Sequence, residues 1–277
     1  MTKKLLMLAL ILLLQQAFVT MPEAVKPYDS CAIDNTSFAP GERLVYKAYY
    51  NWKFVWIPAG EAVFDVVENK NDYEVKVVGK TYDSYDYFFK VRDYFYSRID
   101  KKTLYPKNFV RIIEEGDYRK FDSIAFDQVR QKAYSFNGKT RATAKMQEVN
   151  YGSCMHDLLS VLYYLRNIDV DQYKKGSYIP TQVLFDNETF PIKVRYDGKD
   201  AKKEIKELGT YHTIKVIPDL VVGNVFKDGD KMKIWVSDDA NKLPLLIESP
   251  LKIGSAKAVL KSYKGLRHKL SSKIAEK

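Results

Sequence analysis

The chain has 277 residues, of which 46% are hydrophobic and 29% are charged, and its formal net charge is +10. This composition argues against a disordered protein, because enough apolar side chains are present to build a core. The cations are scattered, apart from a basic tail at 266–277, so the sequence does not predict a nucleic-acid partner. A basic surface remains compatible with anionic lipid or polysaccharide.

The first segment has the pattern of an export signal. Lys3 and Lys4 precede an apolar run from Leu5 to Leu14, and more polar and small residues follow, which is typical of a signal peptide. About ten apolar residues are too few to cross a bilayer, which takes about 20 in a helix. We therefore predict a signal peptide over 1–24, export of the rest, and no transmembrane segment after cleavage.

Cys31 and Cys154 are the two cysteines of the chain. In an exported protein two cysteines can pair, and a Cys31–Cys154 disulfide would stabilise the fold by roughly 4 kcal/mol in the chain-entropy model. Two buried thiols that never meet are the alternative. A lipidated Cys31 is disfavoured, since this residue lies far beyond Leu14.

Period-two alternation of apolar and polar residues dominates the first half of the chain, as at 44–50, 62–66 and 73–77. Such alternation is typical of half-buried, antiparallel strands. Residues suited to tight turns separate the runs, and Asn137-Gly138 is the strongest hairpin signal because both residues tolerate positive φ. We expect successive strands to pair in meander order.

One segment has helical spacing instead. Apolar residues recur at steps of three and four from Met155 to Leu165, and Ser153 is placed to cap the first turn. These features predict a helix over 155–168 that packs on the sheet.

Strand patterns resume after the predicted helix. The runs lie at 178–186, 189–196, 203–207, 211–217, 231–237, 243–248 and 255–262. We predict a mainly β protein, a rolled antiparallel sheet or open barrel of about a dozen strands with one central helix. Residues 31–265 would form a single β domain, or two intimate halves divided by the helix.

No constellation of residues predicts catalysis, a metal site or a cofactor. The histidines, His156, His212 and His268, are far apart in the sequence, which does not fit a zinc-binding pattern. Cys154, His156 and Asp157 are near neighbours, but neighbours on one helix point in different directions. The remaining acid clusters fall where turns are expected, and Asp is common in turns. They are Asp228, Asp230, Asp238 and Asp239.

Aromatic residues are unusually dense at 49–56, 82–89 and 94–96. Tyr and Trp combine an apolar body with a polar tip, which suits a groove for an amphipathic ligand. We select Trp52, Trp56, Tyr85 and Tyr87 as candidate ligand-binding residues. An ordinary aromatic β core is the alternative, because aromatic residues favour strands.

Several segments occur in the order seen in a bacterial envelope family, the domain of unknown function DUF 3108. They are the residues at 38–46 (FAPGERLVY), 59–62 (AGEA), 93–100 leading to 104–106 (LYP), 157–166 (DLLSVLYYLR) and 234–239 (IWVSDD) before Leu243-Pro244. The chain resembles the branch of this family from Bacteroides-type bacteria. The resemblance implies a curved β architecture and the periplasm or outer envelope of a Gram-negative bacterium, and it brings no activity, cofactor or catalytic residue.

Three functions are therefore open. The first is a non-enzymatic envelope protein that holds a lipid-like or amphipathic ligand in a β groove. The second is an interaction module that docks an envelope partner, and the third is a hydrolase acting on envelope polysaccharide. The last would need carboxylates that converge in a cleft.

Overall fold

A computed structural model describes residues 31–52, 55–219, 231–251 and 254–274. The predicted signal peptide lies outside the described residues. One sheet of 15 strands dominates the structure. In chain order the strands are β1 (Arg43–Trp52), β2 (Val55–Glu68), β3 (Asp72–Thr81), β4 (Arg92–Asp100), β5 (Pro106–Glu115), β6 (Tyr118–Asp127), β7 (Lys132–Gly138), β8 (Lys145–Asn150), β9 (Met155–His156), β10 (Tyr178–Phe185), β11 (Glu188–Ile205), β12 (Gly209–Asp219), β13 (Lys233–Ser237), β14 (Pro244–Pro250) and β15 (Ser255–Lys264).

The sheet is a continuous meander, as the alternation predicts. Its order is β8-β7-β6-β5-β4-β3-β2-β1-β15-β14-β13-β12-β11-β10-β9, so consecutive strands pair except β8 with β9, and β1 also pairs with β15. All these pairs are antiparallel except the two-residue parallel pair of β9 with β10. The predicted mainly β, open-barrel fold is confirmed.

The two edges of the sheet are close neighbours in the sequence. Strands β8 and β9 stand at opposite ends of the strand order, although only residues 151–154 separate them. Cys154 lies in this link and forms the predicted disulfide with Cys31, with 5.6 Å between the Cα atoms. The disulfide therefore fastens the beginning of the described chain to the gap between the sheet edges.

The predicted helix is shorter than its pattern indicates. Helix α1 spans Ser160–Leu165, and the expected first turn is strand β9. Cys154 has a φ of +65°, a conformation outside a right-handed helix. The Asp157 carboxylate then accepts hydrogen bonds from the amides of Leu159 and Ser160, at 2.7 and 2.8 Å, which satisfies donors at the true helix start. The prediction of a helix from 155 to 168 was wrong at both ends. In the described part of the chain, no helix has the length and apolar character required to cross a bilayer.

Asn137 and Gly138, which were expected to form a turn, lie within a strand. Asn137 and Gly138 pair with β6 as part of β7, and residues 139–144 make the connection to β8. A Cβ atom on Gly138 would lie 2.7 Å from the Ala144 Cα, so glycine is needed here for close packing rather than for a turn. The predicted strands at 189–196 and 203–207 join as β11, which shifts register beside Gly198.

Buried side chains form three clusters around α1 and the sheet. One cluster joins Phe38 and the helix residues Leu159 and Tyr163 to the inner face of β3–β7. A second packs α1 against β10–β12. The third lies under β1 and β13–β15 and takes in Leu266 and Leu270, so the segment predicted as a basic tail contributes apolar side chains to the core.

A buried ion pair connects these parts. Arg166, at the end of α1, donates two hydrogen bonds to the carboxylate of Glu42, at 2.6 and 2.8 Å. Its Nε donates to the carbonyl oxygen of Asn241, at 3.1 Å, and its own carbonyl accepts from the hydroxyl of Ser37, at 2.6 Å. The segment before β1, the helix and the β13–β14 turn therefore meet at one guanidinium.

Glu42→Gln should lower the free energy of unfolding by about 3–5 kcal/mol, because the variant leaves the buried Arg166 without a counter-charge. Urea unfolding measures the loss. Glu68→Gln is the matched control, since the ion pair of Glu68 with Lys101 is exposed and should contribute at most about 1 kcal/mol. Equal losses in the two variants would contradict this assignment.

Replacing both cysteines, Cys31→Ser with Cys154→Ser, should destabilise the protein by about 4 kcal/mol, because the unfolded chain loses the constraint of a long loop. Urea unfolding of the wild-type protein in a reductant should give the same midpoint as the double variant. A double variant as stable as the oxidised wild-type protein would show that the cross-link contributes nothing.

Candidate functional site

The four predicted ligand-binding residues lie at one end of the sheet, here called the hairpin end, where the β1–β2 hairpin and the β3–β4 loop leave the strands. Trp56 is 38% exposed, with the Lys257 Nζ 4.5 Å from its ring centroid. Tyr85 is half-buried, and Tyr87 is 92% exposed. Trp52 pairs with Val55 in the hairpin, and its side chain lies outside the described residues. Their role in ligand binding stays a prediction.

A first candidate site, the helix groove, lies between α1 and β10–β14. Its lining is apolar except for Arg166 and Lys242, which is the character expected of a groove for an amphipathic ligand. The apolar lining consists of Leu162, Leu165, Val170, Ile179, Val194, Ile214, Val216, Ile234, Val236 and Pro244. Its volume is about 80 Å³, well below the 300–1,000 Å³ typical of small-molecule sites.

A second candidate site, the outer cleft, lies on the opposite face of the sheet at β5 and β6. Phe109 points into the core, so the alternation of a strand directs Val110 and Ile112 outward. Ile112 pairs with Phe121 across β5 and β6, and these apolar side chains form the floor. The segment between β7 and β8 supplies a wall through residues 139–141, and the volume is about 390 Å³.

The rim of the outer cleft is basic. Arg119, Lys139 and Arg141 line it and are exposed. Within the described ranges none of the three is in an ion pair, and Glu114 is the only acid among the lining residues. An apolar floor beside cations that form no ion pair can hold the tail and the head of an amphipathic anion.

The inner face behind the cleft carries a polar network. Arg111 contacts the carboxylates of Asp122, at 3.4 Å, and Asp186, and Lys120 lies 2.9 Å from Asp186. The Asn137 side chain donates to Asp186 at 3.0 Å. Burial raises the pKa of Asp122, whereas Arg111 and Lys120 overcome burial and lower the pKa of Asp186. The network joins the β10–β11 turn to β5–β7 across the gap between β8 and β9.

The neighbours Cys154, His156 and Asp157 do not form a catalytic group. Cys154 is in the disulfide. His156 is buried between the rings of Tyr105 and Tyr164, with centroids 5.5 and 4.5 Å away, and burial lowers its pKa to about 3.

Asp157 has a structural role in the same region. Its carboxylate accepts a hydrogen bond from the Ser97 hydroxyl, at 2.6 Å, as well as those from the helix amides. Burial raises its pKa to about 6 despite these bonds. Asp157 therefore positions the start of α1 over strand β4.

The remaining histidines and acids are also apart. His212 is exposed on β12, and His268 Nε2 lies 2.7 Å from the carbonyl oxygen of Thr36. Asp239 accepts hydrogen bonds from the amides of Asn241 and Ser272, at 3.0 and 3.2 Å, which is the expected turn role. Asp228 and Asp230 lie outside the described residues. Among the residues that the structure describes, no three His, Cys, Asp or Glu side chains are grouped to hold a metal ion.

The outer cleft was missed at the level of sequence. Two of its floor residues, Val110 and Ile112, belong to the run Phe109-Val110-Arg111-Ile112-Ile113, which has apolar residues on both faces of the strand. A strand with one wet face should be polar on the other. This departure from alternation is the signal that could have located the cleft, whereas the rim depends on how residues 139–144 fold back.

His156 should give the fold a pH dependence. The pKa of His156 in the folded protein is about 3, below the ordinary 6.5. The contribution of the neutral, buried His156 to the free energy of unfolding is therefore fully present above pH 6.5 and is lost as the pH falls toward 3. Between pH 6 and 4, the free energy of unfolding of the wild-type protein should fall by up to about 1.4 kcal/mol per pH unit more than that of His156→Leu. Urea unfolding across this range measures the slopes. The exposed control His212→Leu should keep the wild-type slope, and a wild-type slope in His156→Leu would refute the assignment.

Comparison with known proteins bears on the family and the fold. A family model described as a protein of unknown function, DUF3108, matches residues 45–261, which is most of the chain, and none of the curated proteins matches. A β-barrel-like protein of the domain of unknown function DUF1849 from Brucella abortus is 10% identical, with a TM-score of 0.55 over 83% of this chain and 98% of its own. At this identity the likeness concerns the fold alone.

A putative exported protein with a YmcC-like fold from Bacteroides fragilis is 14% identical over 84% of this chain and 100% of its own, with a TM-score of 0.29. The family match contains the whole of strands β2–β14, including those that form the outer cleft, and most of β1 and β15. It confirms the resemblance seen in the sequence motifs. The chain belongs to the DUF3108 family of proteins of unknown function.

Proposed function

We propose that this protein is an exported, non-enzymatic protein of the cell envelope that holds a lipid-like, anionic amphipathic ligand in the outer cleft. One observation carries the proposal: an apolar floor of Val110, Ile112 and Phe121 lies beside the cations Arg119 and Lys139 in a single cleft. The alkyl tail would cover the floor, and the anionic head would bind the rim.

The size of the two candidate sites favours the outer cleft. About 390 Å³ lies within the usual range for a small ligand, whereas the helix groove offers about 80 Å³. We therefore propose that the ligand binds on the face of the sheet opposite the helix, rather than in the helix groove.

Export is supported by the leader pattern and by the cysteines. The pairing of Cys31 with Cys154 suits an oxidising compartment. The envelope is also the compartment in which anionic amphipaths, such as phospholipids and acylated sugars, are abundant.

Calorimetric titration with two alkyl phosphates tests the proposal. Dodecyl phosphate carries the tail and the head, and butyl phosphate carries the same head with a short tail. Lys139→Gln should weaken the binding of both ligands by about fivefold, since it removes one charge contact. Ile112→Thr, which keeps a β-branched side chain in the strand, should weaken dodecyl phosphate about fourfold more than butyl phosphate.

Matched controls come from outside the cleft. Lys102→Gln removes an exposed cation, and Val67→Thr changes an exposed apolar residue of β2; both should bind as the wild-type protein does. The proposal fails if wild-type protein does not bind dodecyl phosphate, or if control and cleft variants lose affinity equally.

The interaction module is a second candidate function. Tyr87 and Phe88 are among the most exposed large hydrophobic side chains of the described residues, and exposed apolar patches commonly mark docking surfaces.

For the hydrolase alternative, Asp122 and Asp186 do converge, but on Arg111 inside the sheet. That arrangement favours an ion network over a pair of catalytic acids.

A further inference from the structure

We infer that the hairpin end is a membrane-docking surface that binds an anionic lipid bilayer, inserting the aromatic side chains of the β3–β4 loop between the lipid headgroups. This inference goes beyond ligand binding and rests first on residues of the β3–β4 loop, which do not line the outer cleft. Tyr87, Phe88 and Lys90 carry it, and the outer cleft is lined by other residues.

The exposure of the loop is the first observation. Tyr87 is 92% exposed, Phe88 80% and Phe89 54%. Three consecutive aromatic rings in water are unfavourable for a soluble surface, since each would gain free energy on burial. Tyr and other aromatic residues are enriched at the level of lipid headgroups, where their rings and polar tips both find partners.

The loop is held in the conformation that presents these rings. Asp86 accepts a hydrogen bond from the Thr81 hydroxyl, at 2.7 Å, and forms an ion pair with Arg92. The amides of Phe88 and Phe89 donate to the carbonyl oxygen of Tyr85, at 2.9 and 3.0 Å. Because these bonds close the loop on itself, insertion would cost little additional ordering.

Other apolar side chains are exposed at the same end of the sheet. A Cβ atom on Gly116, in the β5–β6 turn, would lie 3.2 Å from the Phe89 ring, so the loop reaches this turn. Tyr118 follows the turn and is exposed, and Val55 and Trp56 are exposed on the β1–β2 hairpin. Three separate connections therefore present apolar groups in one direction, which suits a broad surface better than a narrow peptide.

The charge around these rings selects anionic lipid. Exposed cations at this end that form no ion pair within the described ranges include Lys90, Arg119, Lys139, Arg141 and Lys145. The nearby acids Asp83 and Asp86 are paired with Arg92, which leaves the exposed Asp117 and the half-buried Glu114 and Glu115 against these cations. An excess of free positive charge beside exposed rings is the combination that binds interfacial proteins to anionic bilayers.

The two sites share cations. Arg119, Lys139 and Arg141 line the outer cleft and also belong to the basic set at the hairpin end. A protein docked in this way would place the mouth of the cleft beside the headgroups, where an anionic amphipath could pass between bilayer and cleft.

A fluorophore on the loop tests the inference. In the full chain, Tyr87→Cys is labelled with an environment-sensitive dye, because the native cysteines are paired. Vesicles of equal parts phosphatidylcholine and phosphatidylglycerol should shift the emission to the blue, and vesicles of phosphatidylcholine alone should shift it far less. The vesicle affinity is read from this shift as lipid is titrated. Adding Phe88→Ser should weaken that affinity at least about tenfold, and adding Lys90→Gln should weaken it about fivefold.

The matched control carries the same dye at Tyr263→Cys, an exposed position on β15 near the opposite end of the sheet. It should show no shift, even if another segment of the chain attaches the protein to the vesicle. A shift at Tyr263 equal to that at Tyr87, or no shift at Tyr87, overturns the inference. A Tyr87 label that responds to delipidated envelope proteins and not to vesicles assigns the surface to a protein partner, which also overturns it.

The dodecyl phosphate titration separates this inference from the proposed function. Phe88→Ser and Lys90→Gln should leave that titration unchanged, because neither residue lines the outer cleft. Loss of alkyl phosphate binding in these variants would show that the hairpin end and the cleft are one site, contrary to the inference.

Discussion

The buried ion pair of Arg166 with Glu42 is the contact on which the rest of the architecture depends. Two charges removed from water cost several kcal/mol each, and only mutual pairing with full hydrogen bonding offsets that cost. Arg166 meets this condition by also bonding Asn241 and lying 5.7 and 5.2 Å from the ring centroids of Phe38 and Tyr163. Glu42 and Arg166 belong to two of the motif segments that carry the family resemblance, so these segments have a structural explanation.

The sheet is closed by side chains where backbone pairing stops. A meander of 15 strands leaves two edges, and exposed edges invite wrong pairing. The disulfide at Cys154 and the contacts of Asp186 with Arg111 and Lys120 join the two halves beside those edges. The network is charged and partly buried, and ion networks with a structural role perturb pKa values as catalytic sites do.

The two ends of the sheet have different properties. At one end the segment before β1, helix α1 and the residues after β15 cover the core with buried contacts. At the hairpin end the rings of the β3–β4 loop and several unpaired cations face solvent. Function is expected at this end, because exposed apolar surface gains free energy when a partner covers it and unpaired cations attract an anionic partner.

The sequence by itself determined the fold class, the meander order and the disulfide, since alternation, turn residues and cysteine pairing are local or compositional signals. It also selected the aromatic segment that contains Tyr87. Tertiary structure alone decided the length of the helix, because the same apolar spacing serves a strand at Met155 once Cys154 adopts positive φ. Tertiary structure also decided where the outer cleft lies. Ile112 and Lys139 are distant in sequence, and they come together because β5, β6 and β7 pair and residues 139–144 fold back beside them.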